Sequence, residues 1–191
     1  MVDKKRIENA VLEILMAIGE DANRQGLQET PMRVANMYQE IFSGIHDDPH
    51  RHLKIFNESE QDGEIVAVRD IPFHSMCEHH LLPFKGKVQV AYIPKEGKII
   101  GISKFSRIVE CFAKRPQVQE RLTSQIADFI YDNLNPYGVA VIVDAEHLCM
   151  TMRGTKALGS QTRTASFKGT IRTDKDLRAQ VMEMLLGSEC R

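Results

Sequence analysis

Cys77 and His80 stand in the stretch Ser75-Met76-Cys77-Glu78-His79-His80, close enough to reach one metal ion from a single turn, and Cys149 lies far downstream in His147-Leu148-Cys149. A metal shared by all three forces two remote segments of the fold to one point. Three protein ligands leave a fourth position for water or substrate, as at a catalytic zinc, whereas a structural zinc usually closes all four. The same residues also fit core thiols beside satisfied histidines, and spacing alone does not decide between the two. If zinc is held there, two thiolates already offset its charge, so its water is acidified less than the pKa of about 7 quoted for all-histidine sites. Neighbouring acid–base groups then matter more, and His79 and His147 stand beside ligands in the sequence. Either histidine also suits a role orienting a ligand, and Glu78 suits a structural hydrogen-bond partner.

Around this constellation the apolar pattern changes period along the chain. Ile7, Val11, Ile14, Leu15 and Ile18 recur at helical spacing and predict a helix ending near Gly19. Thr30 as N-cap, Pro31 at the first helical position and the stripe Val34, Met37, Tyr38, Ile41 and Phe42 predict a second helix, closing before Gly44. Residues 46–63 are polar and aperiodic and read as a connector. Residues 1–60 are therefore expected to form an N-terminal helical arm and connector, and 61–191 a catalytic domain. Strands are predicted over 64–70 and 87–93, with Val88, Val90 and Tyr92 alternating and the Cys77 motif between them.

A helical stripe of Phe105, Ile108, Val109 and Phe112 follows. Pro116 is expected to open another helix, carrying Val118, Leu122, Ile126, Phe129 and Ile130 and stopping near Asn135-Pro136. Residues 139–145 and 161–172 predict the last strands, and Asp174 caps a final helix with Leu177, Val181, Met184 and Leu185 on its apolar face. This order predicts an α+β fold, an antiparallel sheet with helices on one face. A sheet of so few strands leaves edges that oligomerisation commonly covers.

The formal net charge of -1 gives no general electrostatic reason to bind nucleic acid or an anionic membrane, so any anion must meet a local basic cluster. Four cysteines without regular spacing make a poor disulfide framework and fit a reducing compartment. Lys4, Lys5, Arg6, Glu8 and Glu13 interrupt the first apolar positions, which does not suit a signal peptide, and no uncharged run reaches transmembrane length. A cytoplasmic protein is expected.

Ser103, Lys104 and Arg107 fall at the start of a predicted helix, where free N–H groups favour an anion, and Lys104 and Arg107 share a face. Arg153 and Gly154 bring a guanidinium and a close backbone approach just beyond Cys149. Gln119-Glu120 pairs an amide with a carboxylate, which reading a guanine edge requires. A solvated charged surface and a first-turn acid favoured by the helix dipole are the plainer alternatives.

These residues, together with Ala91-Tyr92-Ile93-Pro94, Gly101-Ile102-Ser103-Lys104 and the run from Arg115 to Leu122, resemble the GTP cyclohydrolase I family from about Glu29-Thr30-Pro31 to Arg172. The resemblance implies hydrolysis of GTP to 7,8-dihydroneopterin triphosphate and formate, with zinc on Cys77, His80 and Cys149 activating water against C8 of guanine. It implies proton transfer by His79 and His147, base recognition by Gln119 and Glu120, and ribose and triphosphate contacts by Ser103, Lys104, Arg107 and Arg153. It also implies the tunnelling fold, a homodecamer with active sites between subunits, and Arg33 reaching a neighbouring subunit's site. Asn36 stands where family members often carry lysine, and Cys111 and Cys190 match no ligand. Another tunnelling-fold enzyme acting on a pterin or deazapurine, and a non-catalytic zinc-stabilised binding module, are the competing expectations.

Overall fold

The structure is a computed structural model that describes residues 2–58 and 63–187; Cys190, read from the sequence as a terminal thiol, lies outside them. The arm follows its periodicity. Helix α1 (Lys4–Ala17) is capped by Asp3, whose carboxylate accepts the Arg6 N–H at 3.1 Å, and Gly19 adopts φ 86° just past its end. Helix α2 (Thr30–Ile41) has Pro31 in its first turn, but its N-cap is Glu29, not Thr30, and no side chain caps it. Proline brings no N–H to that turn, so one fewer donor needs a partner there. The two helices pack together and leave Leu12, Ile14, Met16 and Ile18 exposed.

The connector is more ordered than its composition implies. Two 3-10 turns, Ser43–Ile45 and Pro49–His52, precede strand β1 (Ile55–Asn57), which pairs antiparallel with β4 (Lys98–Ile100). A three-residue strand exposed along its length shows no alternation, so nothing in the pattern announces it.

The main sheet has the order β5-β2-β3-β6-β7. Strands β2 (Val66–Cys77), β3 (Pro83–Ile93), β6 (Gly138–His147) and β7 (Thr162–Lys168) are antiparallel neighbours, and β5 (Pro116–Gln117) joins β2 in parallel. Both β2 and β3 outrun the predicted spans and continue to the Cys77 motif, because the backbone ladder persists where side-chain alternation stops. A register shift between Val68 and Ile71, with Asp70 at φ 58°, bends β2 on the way.

Pro116 does not open a helix. It lies in β5 opposite Met76, an edge position where a missing N–H is tolerated, and α4 (Gln119–Leu134) starts beyond it. The strand predicted over 161–172 likewise ends at Lys168. Gly169, at φ 58° and with no room for a Cβ beside the Tyr137 carbonyl, turns the chain into α6 (Gly169–Thr173). Asp174 then caps α7 (Lys175–Leu186) as predicted, accepting the N–H groups of Asp176 and Leu177.

Helix α3 (Ile102–Ala113) and α4 cover one face of the sheet, with Phe105, Ile108, Leu122, Ile126 and Ile130 buried against Val88, Val90 and Val141. Each such side chain contributes about 1.5–3 kcal/mol on burial. Beyond the predicted one-face layer, α7 covers part of the opposite face through Val181 and Leu185 against Ile93 and Ile142. That double cover explains the unbroken apolar run of β6, whose Val139, Val141 and Val143 face one cluster and Ala140 and Ile142 the other.

Candidate functional site

Strand β3 pairs with both β2 and β6, so it sets Met76 opposite Pro83 and His147 opposite Phe84, one residue apart along the same strand. The ends of β2 and β6 therefore meet. Cys77 closes β2, and its turn is held by backbone bonds: its N–H donates to Leu82 O at 2.9 Å, and the Leu81 N–H donates to Cys77 O at 2.8 Å. Leu81 at φ 51° completes the reversal. Cys149 arrives on the short helix α5 (Leu148–Thr151), which follows β6 directly.

The ligand atoms of Cys77, His80 and Cys149 lie within 4.8 Å of one another. That separation suits a tetrahedral ion with bonds of about 2.0–2.3 Å to nitrogen and sulfur. Burial raises the Cys149 thiol above its ordinary value, the Cys77 sulfur raises it further, and the Arg153 charge pulls it back. Two facing sulfurs resist ionising together unless a cation joins them, so the donor set fits zinc or a similar borderline ion. His79 Nδ1 and His80 Nδ1 stand 3.8 and 3.9 Å from Cys77 Sγ, and His79 is exposed at the rim.

His147 is stacked on Phe84, with ring centroids 4.6 Å apart and planes 2° from parallel, and its Nε2 lies 2.7 Å from Gln119 Oε1. Gln119 is 1% exposed, and its Nε2 donates to the carbonyls of Val143 and Thr162, both at 2.9 Å. Those carbonyls assign the amide orientation. The oxygen must then face His147, whose Nε2 carries the hydrogen while Nδ1 keeps the lone pair of the neutral ring. Burial lowers the His147 pKa, and the Glu120 carboxylate opposes that shift.

One residue expected at the base is already engaged within the fold. The Gln119 side-chain amide is held inside the fold by two backbone carbonyls and a histidine. Glu120 is exposed in the first turn of α4, and its charge reaches His147. The partners of Gln119 come from β6 and β7, so local sequence carries no sign of them.

The basic candidates are spread more widely. Ser103 and Lys104 lie in the first turn of α3, whose N-cap Gly101 adds no side-chain bond. Arg107, one turn on, lines a cleft with Asp47, Glu110 and Lys114. Arg153 is exposed just after α5. Arg33 lies on α2, paired with Glu29 at 2.6 Å, and Asn36 on the same helix accepts from Lys4 Nζ at 3.0 Å. Sequence reasoning left Glu78 without a specific partner; the structure pairs its carboxylate with Arg121.

A second group, Asp47, His52 and Cys111, also gathers its donor atoms within 4.8 Å. Its members are already engaged. His52 Nε2 is 2.6 Å from Asp47 Oδ2, Arg115 Nη2 is 3.8 Å from Cys111 Sγ, and burial pushes the Cys111 thiol up to about 11. At pH 8 about a thousandth of such a thiol is ionised. Iodoacetamide is therefore expected to label Cys111 about a hundredfold more slowly than a free cysteine, as read by peptide mass mapping over time.

The sequence model described as GTP cyclohydrolase I matches residues 7–186. The protein named GTP cyclohydrolase 1 from Caldanaerobacter subterraneus subsp. tengcongensis is 59% identical over 185 residues, covering 97% of this chain and 98% of its own. Those of the same name from Acetivibrio thermocellus and Bacillus subtilis are 55% and 56% identical, covering 98% and 95% of this chain and 100% and 95% of their own.

Proposed function

The chain belongs to the GTP cyclohydrolase I family and is an enzyme of that kind, and we propose how its residues divide the hydrolysis of GTP to 7,8-dihydroneopterin triphosphate and formate. The observation that carries the assignment of the site is the convergence of Cys77, His80 and Cys149 beside a histidine whose outer nitrogen is already held. Cys77, His80 and Cys149 would hold zinc, which when bound supplies the Lewis acidity that makes water nucleophilic towards C8 of the base.

The remaining tasks fall to side chains. His147, neutral and fixed through Nε2, offers Nδ1 as a proton acceptor, and exposed His79 is placed to give a proton to the ring nitrogen released as the imidazole opens. Glu120 accepts from the N–H donors of the guanine edge. Ser103, Lys104, Arg107 and Arg153 contact ribose and triphosphate, with Ser103 assisting proton transfer at the sugar. A second water hydrolyses the resulting formamide and formate leaves; the opened ribose then undergoes an Amadori-type rearrangement and recloses onto the freed amine of the pyrimidine with loss of water.

Catalysis is assigned to residues 61–191, with 1–60 serving as the arm. A homodecamer with sites between subunits completes the proposal, and Arg33 of the arm then serves a neighbouring subunit's site. The exposed apolar side chains of α1 support such an assembly. No helix among the described residues is long and apolar enough to cross a membrane, and Cys77, Cys111 and Cys149 are free thiols; these support a cytoplasmic setting.

Purified protein loaded with zinc and incubated with GTP is expected to release formate and form a fluorescent pterin, in step with its zinc content. Zinc-loaded protein that leaves GTP intact would refute the assignment.

A further inference from the structure

Three alternating positions running from β5 into the first turn of α4 grip the site, two of them at Glu78. The Gln117 carbonyl accepts the Glu78 N–H at 3.0 Å, the Gln119 amide holds His147, and Arg121 returns to Glu78. The last contact is two-pronged, with Nη1 and Nη2 of Arg121 on the two carboxylate oxygens at 2.5 and 3.1 Å. Glu78 lies between Cys77 and His80 in the ligand-bearing turn, so both its amide and its carboxylate are tied to one short segment. That segment is itself anchored. The buried Gln117 amide donates to Phe112 O at 3.2 Å and to Gln125 Oε1 at 2.7 Å, and β5 is laddered to the end of β2.

The Glu78 and Arg121 side chains are 32% and 46% exposed, where an ion pair adds little to global stability. What a two-pronged pair adds is direction.

We propose that Glu78 and Arg121 form a positioning pair, a two-point clamp that fixes the ligand-bearing turn against the first turn of α4. Through it the Cys77 and His80 donors keep one geometry relative to Glu120 and His147. The pair touches neither metal nor substrate and acts through the turn. The inference rests on the metal centre proposed above.

Cobalt(II) serves as the probe, because its visible absorption reports ligand geometry directly. The full chain and its Glu78→Ala, Arg121→Ala and doubly substituted forms would be titrated with cobalt against a competing chelator, with kcat and KM for GTP measured on the zinc-loaded proteins. Each single substitution is expected to weaken cobalt binding about tenfold and shift its absorption band, lowering kcat more than it raises KM. The double variant should be no worse than either single one. Thermal unfolding of the metal-free forms should move by no more than about 3 °C, which separates positioning from folding. Single variants with unchanged cobalt affinity and spectrum overturn the clamp, as does a double variant whose loss is the product of the single losses. Unsubstituted protein that takes up no cobalt overturns the metal centre and the clamp together, which tells the two failures apart.

Discussion

Cys149→Ser is expected to lose its metal and to lower formate release from GTP by about a thousandfold or more. A serine hydroxyl is a hard donor that stays protonated at neutral pH, so the substitution removes a ligand while keeping nearly the same shape. Cys77 and His80 remain, but two donors from one turn leave the ion half-bound. Cys149 is only partly buried on a short helix, and the lost thiol makes little of the core, so circular dichroism should be unchanged. Metal analysis beside the formate assay reads the outcome directly. A zinc-free Cys149→Ser protein with full activity would remove the metal from the mechanism.

Gln119→Leu is expected to damage stability and turnover together. Leucine fills much of the same space, yet it leaves the carbonyls of Val143 and Thr162 without the amide that reaches them at 2.9 Å and strips His147 Nε2 of its acceptor. A buried polar group left unpaired costs about 1–3 kcal/mol, so a loss of about 2–4 kcal/mol follows, or roughly 5–15 °C in unfolding midpoint for a chain of this size. With the ring no longer fixed, kcat should fall about 10–100-fold while KM for GTP changes little. Were Gln119 instead a reader of the base, KM would rise and the unfolding midpoint would stay. Differential scanning calorimetry and steady-state kinetics on one preparation distinguish the two.

How much of this was legible beforehand depended on whether the cause was local. The apolar stripes of α1, α3 and α7 and the Asp174 cap of α7 were plain because both act within a few residues. The ligand set was visible because Cys77 and His80 share a turn, but only the pairing of β3 with both neighbours brings Cys149 to them. Pro116 misled because proline suits a helix start and a strand edge equally well in one sequence, and the parallel bridge to Met76 decides it. The internal partners of Gln119 and the Arg121 partner of Glu78 escape the sequence for the same reason. An amide that serves β6 and β7, and a carboxylate that finds a guanidinium on another element, leave no periodicity and no spacing to read.

Because the positions of Cys77 and His147 are both measured off β3, that strand acts as a ruler for the chemistry, with Pro83 and Phe84 as adjacent graduations. Loops such as the one after Ile93 can gain or lose residues without changing what the ruler reads. A single insertion between Phe84 and Val88 cannot, since it rotates every later side chain to the opposite face and slides β6 by one step. Length variation among related chains should therefore be scarce inside Pro83–Ile93, however freely it accumulates elsewhere.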